Sequence, residues 1–323
     1  MRTLTIAITG INACDNPAPG VGIAKSLKEA PGFQARTIGL AYDAMEPGIY
    51  LDQYIDRSFL IPYPVSGPDA LLHRLQEIHA IEPIDVLLPN LDSDLPNVIA
   101  IESTLHKMGI RVFLPTEEQF CLRDKQHLRG AADLAGIDMP QQAVVKDQKE
   151  LHQATQDIGV PVMVKGSVHS ASRANSLQEA ITRFTAVVAR WGYPVLVQEV
   201  VIGEEMNVIG VGDGHGRALG MVAIKKMNVT ELGKIWTGVT VSNQRLLEAA
   251  ERFVAATQWR GPFEVECIIS GEQVYLIEIN PRFPAWVYFA TGVGSNLPAL
   301  LVDLALGCPI TPPEGYPTGK LYI

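Results

Sequence analysis

The stretch GPFEVECIISGEQVYLIEINPRF, residues 261–283, decides how this chain is read. Two apolar runs meet at Ser270-Gly271-Glu272, the composition of a tight turn, so the stretch predicts a β-hairpin. Glu264 and Glu266 stand two apart on the first strand and share a face. Glu278 and Asn280 do the same on the returning strand. Pairing the strands lets three carboxylates and an amide converge. Phe263, Val265, Ile268, Ile269, Leu276, Ile277 and Ile279 surround them, which implies one buried face and one face that is acidic throughout. Like charges opposite one another destabilise a sheet, and a bound cation would relieve that repulsion. A donor set of oxygens without His or Cys suits Mg²⁺ or Mn²⁺. Pro281 ends the strand, and Arg282 follows beside the carboxylates, where a guanidinium can meet phosphate oxygens. The simpler alternative is a solvated surface hairpin in which Arg282 pairs with the acidic face.

Upstream, residues 1–115 alternate strand and helix patterns, the rhythm of an α/β domain with a parallel sheet. LTIAITGI, ARTIGLAY, IDVLLPNL and RVFLP read as strands. IAKSLKEA, the stretch around Leu71–His79 and IAIESTLHKMG read as helices. The loop GINACDNPAPGVG after the first strand contains Gly20-Val21-Gly22. It lacks a third glycine at dinucleotide spacing, and no acidic residue clearly ends strand two. A tight strand-to-helix turn and a phosphate cradle both remain open there.

The pattern changes at Thr116. TEEQFCLRDKQHLRGAADLAG begins like a capping box, with Thr116 three residues before Gln119, and its helix ends at Gly136. VPVMVKGS and PVLVQEVV are apolar strands flanking the helix SLQEAITRFTAVVARWG. A second hairpin, MNVIGVGDGHGRALGMVAIKKM, turns at Asp213-Gly214. LLEAAERFVAATQ is an amphipathic helix, and ALLVDLALG is a closing helix. No internal repeat or low-complexity tract interrupts the chain.

Composition sets outer limits. The chain has 323 residues, enough for two or three lobes with buried cores. Its 26 Lys and Arg against 35 Asp and Glu give a net charge of -9, which provides no general basic field for nucleic acid. Cys14, Cys121, Cys267 and Cys308 stand apart from one another, without a CxxC pair, and suit a reducing cytoplasm. LTIAITGI is too short for a signal peptide, and no apolar run reaches the ~18 residues that span a bilayer. A cytoplasmic protein without membrane or nucleic-acid partners is therefore expected.

The hairpin string resembles the metal-binding hairpin of the ATP-grasp superfamily, close to its carbamoyl-phosphate synthase and biotin carboxylase branches. That resemblance implies an N-terminal Rossmann-like domain over residues 1–115. A small lobe or lid would follow over 116–202 and a C-terminal lobe over 203–323, an α/β architecture throughout. It also implies Mg-ATP, with Glu266, Glu278 and Asn280 as metal ligands and Arg282 at the phosphate or acyl phosphate. Glu264 would be a neighbour facing substrate or a second cation. Likeness to the family's D-K segment points to Lys125 at the nucleotide phosphates, and VPVMVKG points to Lys165. LVQEVVIGEEMNV resembles the hinge between the grasping lobes. Gln198 would then sit beside the adenine amino group, Glu199 and Val201 would offer backbone groups to the adenine edge, and Glu205 would hold the ribose. Lys225 or Lys226 would add a cation near the phosphates, Lys225 being the residue assigned a catalytic role.

These assignments have a physical side. An ammonium within VPVMVKG is costly to bury unless paired, although Lys165 could instead snorkel at an edge. Lys125 stands in a polar helix start that would be unremarkable alone. Two departures from the family pattern stand out. The lid loop reads GSVHSASRANS, with one glycine, with Ser167, Ser170 and Ser172 as hydroxyl donors, and with His169 and Arg173. After Arg282 comes FPAW, which with Trp236 and Tyr288 would form either an apolar acceptor pocket or core.

The resemblance implies an ATP-dependent carboxylate–amine ligase that forms an amide or peptide bond through an acyl phosphate. Its substrates would be small-molecule or peptide carboxylates and amines, and a homodimer is the default assembly. A bicarbonate-activating enzyme and a non-catalytic ATP-binding module are the competing readings. No GxSxG, HExxH or Cys–His constellation suggests other chemistry. Substrate choice is expected at Asn12–Gly22, Asn90–Asp94 and Phe283–Asn296, the first two being strand-end loops where open α/β sheets bind ligands.

Overall fold

The structure is a computed structural model that describes residues 3–124, 127–166, 171–230, 233–313 and 315–323. Strand β1 (Thr3–Ile8), helix α1 (Pro19–Lys28) and strands β2 (Gln34–Ala41) and β3 (Arg57–Leu60) open the chain. Helix α2 (Gly67–Ile81), strand β4 (Val86–Leu88) and helix α3 (Leu95–Met108) follow. The four strands form a parallel sheet in the order β3-β2-β1-β4. Both of its faces are covered, which is why β1 reads as a nearly unbroken apolar run. Ala7, Ile38 and Leu87 pack against Leu75 and Ile78 of α2 and Ile101 and Leu105 of α3. Ile6 and Ile8 face Ile23 and Leu27 of α1. RVFLP, expected as a strand, makes only an isolated bridge between Val86 and Arg111. It passes the sheet edge without extending it.

Next come helices α4 (Glu117–Cys121) and α5 (Leu128–Ala135), strand β5 (Gln142–Val145) and helix α6 (Gln148–Ile158). Strands β6 (Val162–Gly166) and β7 (Ala171–Ala174), helix α7 (Leu177–Trp191) and strand β8 (Val195–Glu199) complete this part. The capping box at Thr116 forms: Gln119 N donates to Thr116 Oγ1 at 3.2 Å and Thr116 N donates to Gln119 Oε1 at 3.0 Å. The single helix expected from there to Gly136 is instead two, α4 ending at Cys121 and α5 beginning at Leu128. The second sheet has the order β5-β8-β6-β7. Val145, Val162, Val164, Val195 and Val197 line its face against Leu151 of α6 and Phe184 and Val187 of α7.

The chain then builds β9 (Glu204–Asp213), β10 (Ala218–Val229), β11 (Ile235–Thr240), helix α8 (Gln244–Thr257), β12 (Arg260–Ser270) and β13 (Gln273–Asn280). Helices α9 (Val287–Gly292) and α10 (Leu297–Leu306) and strand β14 (Leu321–Tyr322) close it. The third sheet is antiparallel, in the order β13-β12-β9-β10-β11-β14. On one face Val208, Ala223, Val265 and Leu276 pack against Leu246 and Phe253 of α8 and Leu128 and Ala132 of α5. At one end of the other face, Ile209, Val211 and Val222 join a core shared with α1, α10 and the first sheet. That continuous core fixes the first sheet relative to the third. The remaining end of this second face is polar and carries the candidate site. Among the described residues no helix is long and apolar enough to cross a membrane.

Candidate functional site

Turn chemistry starts the hairpin. Ser270 pairs with Gln273, leaving a two-residue loop whose first position, Gly271, has φ +60°, a backbone state that glycine adopts without strain. The register then runs Ile269↔Val274, Ile268↔Tyr275 and Cys267↔Leu276, and shifts at Ile277. Beyond the shift Glu266 pairs with Glu278, Val265 with Ile279 and Glu264 with Asn280. Directly paired residues share a face. Were Ile277 paired in the ladder rather than left out of it, Glu266 would face Ile277, and the two acidic pairs would lie on opposite sides of the sheet. A β-bulge therefore brings the carboxylates together.

Glu264 is 3% exposed. Its Oε1 accepts from Asn207 Nδ2 at 2.7 Å and Trp286 Nε1 at 2.9 Å, and its Oε2 accepts from Asn280 Nδ2 at 3.0 Å. Burial, reinforced by the Glu266 charge, pushes its carboxyl up to about 7 even though Arg282, Asn207 and Trp286 favour ionisation. Glu266 Oε1 accepts from Asn280 Nδ2 at 3.0 Å, and its Oε2 accepts from Lys226 Nζ at 2.6 Å. Lys226 also lies 3.2 Å from Glu205 Oε2. Burial opposes its charge, but Glu266, Glu205 and Glu264 more than offset that and hold it above the ordinary ammonium range. The acidic face is thus already neutralised by protein groups, where sequence reasoning expected a metal to be needed for that purpose.

Lys225 does not reach this cluster. Leu219 pairs with Val211 and Val222 with Ile209, so β10 carries one residue more than β9 around Gly220, whose φ is +63°. Past that shift Lys226 falls on the face of Glu205 and Asn207. Lys225 falls on the other face and pairs with Glu204. Arg282 closes the cluster: its Nη2 donates to Asn280 Oδ1 at 3.1 Å and its Nε lies 3.2 Å from Asp92 Oδ1.

Whether these residues suit a divalent cation can be tested on the donors. Glu266, Glu278 and Asn280 present only hard oxygen donors, and Glu266 already holds a cationic stand-in, the Lys226 ammonium. Asn207, 1% exposed, leaves its Oδ1 buried without a hydrogen-bond partner. Among the described residues no group of three or more His, Cys, Asp and Glu could hold a metal ion. The protein thus offers two carboxylates and an amide, which fits Mg²⁺ completed by phosphate oxygens and water rather than an all-protein cage.

The second sheet supplies the other expected residues. Lys165 and Gln198 lie on the face opposite α6 and α7. Lys165 Nζ donates to Gln198 Oε1 at 2.6 Å, and Gln198 Nε2 donates to Gln142 Oε1 at 3.1 Å. The ammonium therefore has an amide partner. Glu199 N donates to Gln141 O at 2.8 Å, and Val201 lies in the connection from β8 to β9. Lys125, His169, Ser167 and Ser170 lie outside the described residues.

Two uncertain stretches resolve. Gly20 N donates to Gly10 O at 2.8 Å. A Cβ on Gly20 would come within 2.4 Å of Thr9 O, so this glycine serves close helix–strand approach. Phe283 and Trp286 are fully buried core, while Trp236 is exposed. Sequence reasoning missed Asn207, Trp286 and Asp92 as partners of this cluster. Asn207 had a signal, since it alternates with Glu205 on one strand. Trp286 and Asp92 had none, because tertiary packing alone brings them in.

A polar sheet end with paired carboxylates, an adjacent amide, an ammonium and a guanidinium has the donor set and charge that suit a metal-bound polyphosphate. The family model of the ATP-grasp domain matches residues 122–285, slightly more than half of the chain, and the chain belongs to that family. Phosphoribosylglycinamide synthetase from Anaerococcus prevotii is similar over 95% of this chain and 76% of that one, with a TM-score of 0.66 and 16% identity. Biotin carboxylase from Campylobacter jejuni, solved as a β-γ-ATP complex, covers 99% of this chain and 74% of its own, with a TM-score of 0.75 and 15% identity. An L-amino acid ligase from Bacillus licheniformis gives a TM-score of 0.66 over 95% of this chain and 74% of that one, at 14% identity. At such identities the likeness shows the fold.

Proposed function

We propose that this chain is an ATP-dependent, Mg²⁺-requiring carboxylate–amine ligase that forms an amide or peptide bond through an acyl phosphate, releasing ADP and phosphate. The observation that carries it is the bulge-set pairing of Glu266 with Glu278 beside Asn280, Lys226 and Arg282 on one sheet face. Ligases stand among the similar structures, and membership in the ATP-grasp family supports the energy source. Mg-ATP would supply the γ-phosphoryl group and the charge neutralisation that phosphoryl transfer needs.

Glu266, Glu278 and Asn280 would hold the metal, and Arg282 would present its N–H groups to the phosphoryl oxygens. Lys226 takes the place that Lys225 was expected to fill. Lys165, oriented by Gln198, would pair with the phosphates, and Lys125 is proposed beside it on the family likeness alone. Glu199 and Val201 would meet the adenine edge through their backbones. Glu205 would hold the ribose, exchanging its Lys226 contact for the hydroxyls. No side-chain nucleophile is required, since positioning and electrostatics carry such a transfer.

The test is ADP and phosphate release with Mg-ATP, first alone, then with bicarbonate, then with pooled carboxylates and amines. Release that needs both a carboxylate and an amine is the expected result. Release driven by bicarbonate would instead make the chain a carboxylase-type enzyme, and nucleotide binding without release in any mixture would make it a binding module. In Glu278→Gln, release falls by ~10²-fold or more with the fold intact, on the scale of losing one preorganised electrostatic group. Near-normal release from that variant would remove the metal assignment.

A further inference from the structure

Asp92 lies in the turn between β4 and α3 beside the N-terminal sheet, yet its carboxylate lies against the arginine that follows the β12–β13 hairpin. Arg282 Nε is 3.2 Å from Asp92 Oδ1, and Arg282 Nη2 donates to Asp92 Oδ2 at 3.5 Å. Arg123 Nη1 reaches the same Oδ2 at 3.5 Å, its guanidinium lying 4.5 Å above the Phe120 ring. One carboxylate from the β4–α3 turn therefore ties together the connecting segment and the C-terminal lobe.

The loop that carries Asp92 is held rigidly. Asn90 Nδ2 donates to Thr9 O at 3.1 Å and to Leu88 O at 2.7 Å, and Asn90 N donates to Thr9 Oγ1 at 2.8 Å. Asp94, 3% exposed, accepts from Leu91 N at 3.2 Å and from the hydroxyls of Thr9 and Tyr42. A buried network of this kind is justified only where every member is satisfied, and it then fixes geometry. Here it fixes the carboxylate that lies against Arg282 Nε.

We infer that Asp92 is a positioning residue: it sets the plane of the Arg282 guanidinium, and through it the N-terminal domain completes the phosphoryl-transfer site. The inference rests on the ligase reading given above. Asp92 occupies the Nε edge of the fork, and Nη1 donates one N–H to Phe283 O at 3.3 Å, which leaves its second N–H for a phosphoryl oxygen. An arginine already fixed at one edge loses less freedom when it meets an anion. Neighbours that orient a site residue in this way typically alter function by ~10–100-fold when removed.

The experiment uses the full-length chain with Asp92→Asn and Asp92→Glu. Binding of inorganic phosphate is measured by calorimetry in saturating MgADP. Rotation of the Arg282 guanidinium is followed through its Nη resonances, assigned by their loss in Arg282→Lys. Asp92→Asn should weaken phosphate binding ~10-fold or more, leave MgADP binding within ~2-fold and speed Arg282 rotation. Arg260, paired with Glu102 at 2.5 Å, should not change. Asp92→Glu should restore most of both effects. Unchanged phosphate affinity and unchanged rotation in Asp92→Asn would overturn the inference. So would an Asp92→Glu variant that folds and binds MgADP yet recovers neither. A wild-type chain that fails to bind MgADP would instead sink the ligase reading, and the rotation measurement would still decide whether Asp92 fixes Arg282.

Discussion

Lys226 Nζ lies 2.6 Å from Glu266 Oε2 and bridges onward to Glu205 Oε2 at 3.2 Å. One ammonium thus joins the proposed metal ligand to the proposed ribose ligand before any nucleotide arrives. Its neighbour Lys225 points the other way, to Glu204. Lys226→Met should therefore lower Mg-ATP-dependent turnover by ~10²-fold or more, whereas Lys225→Met should stay within ~3-fold of wild type. Steady-state ADP release from the two variants decides the matter, and equal effects would show that the face assignment does not govern function.

Trp286 is buried and gives its only donor to Glu264 at 2.9 Å. Trp286→Phe keeps most of the packing but leaves a buried carboxylate short of one hydrogen bond. The expected cost is ~1–3 kcal/mol, read as a lower midpoint in urea with an unchanged slope.

Asp56 ties the first domain together. Burial alone would raise its carboxyl, but donation from Lys28 Nζ at 2.5 Å and from Thr37 N at 2.6 Å and Thr37 Oγ1 at 3.0 Å outweighs this and lowers it below the ordinary 3.8. A carboxylate lowered on folding stabilises the fold above its unfolded value, and that contribution disappears as pH falls through the folded value. The stability gap between wild type and Asp56→Asn should be full at pH 6 and close below about pH 4. Urea titrations across that range measure it. A gap that stays constant with pH would mean the charge is not its source.

Gly20 and Gly130 should respond in opposite directions to alanine. A Cβ at Gly20 would meet backbone oxygens of Thr9 and Gly10 at 2.4 and 2.6 Å, while one at Gly130, exposed on α5, meets nothing within 4 Å. Gly20→Ala should destabilise by ~1–3 kcal/mol through overpacking, and Gly130→Ala should stabilise by ~0.5–1 kcal/mol through helix propensity. Thermal unfolding of both variants is sufficient to check this.

Much of this molecule was legible in its residues. The parallel first sheet, the two hairpins and the amphipathic α8 follow from local periodicity and turn chemistry, and Gly271 marks its turn plainly. Strands β3, β5, β7, β11 and β14 were missed because they are short or weakly apolar, and their pairing is decided by neighbours distant in sequence. The choice between Lys225 and Lys226 could not be made by counting from the Asp213-Gly214 turn. The extra residue near Gly220 reverses every face beyond it, and nothing in GRALGMVAIKK announces it except one glycine. Asp92 stayed hidden for a different reason, since its partner lies 190 positions away.

The shift at Ile277 has a consequence for how this site tolerates change in length. Faces of a sheet obey an odd–even rule, and the site sits on the far side of a single uncompensated residue. Removing one residue of β13 between Gln273 and Glu278 leaves three residues against the three of Cys267–Ile269, so Glu266 still meets Glu278, now in an unbroken ladder. Adding one to β13 doubles the mismatch, and a single bulge then leaves Glu266 opposite Ile277 while every proposed ligand stays in the chain. The proposed cation site thus depends on the difference in length between the two strands, and a variant lacking only Ile277 should keep the acidic pairs together without the bulge.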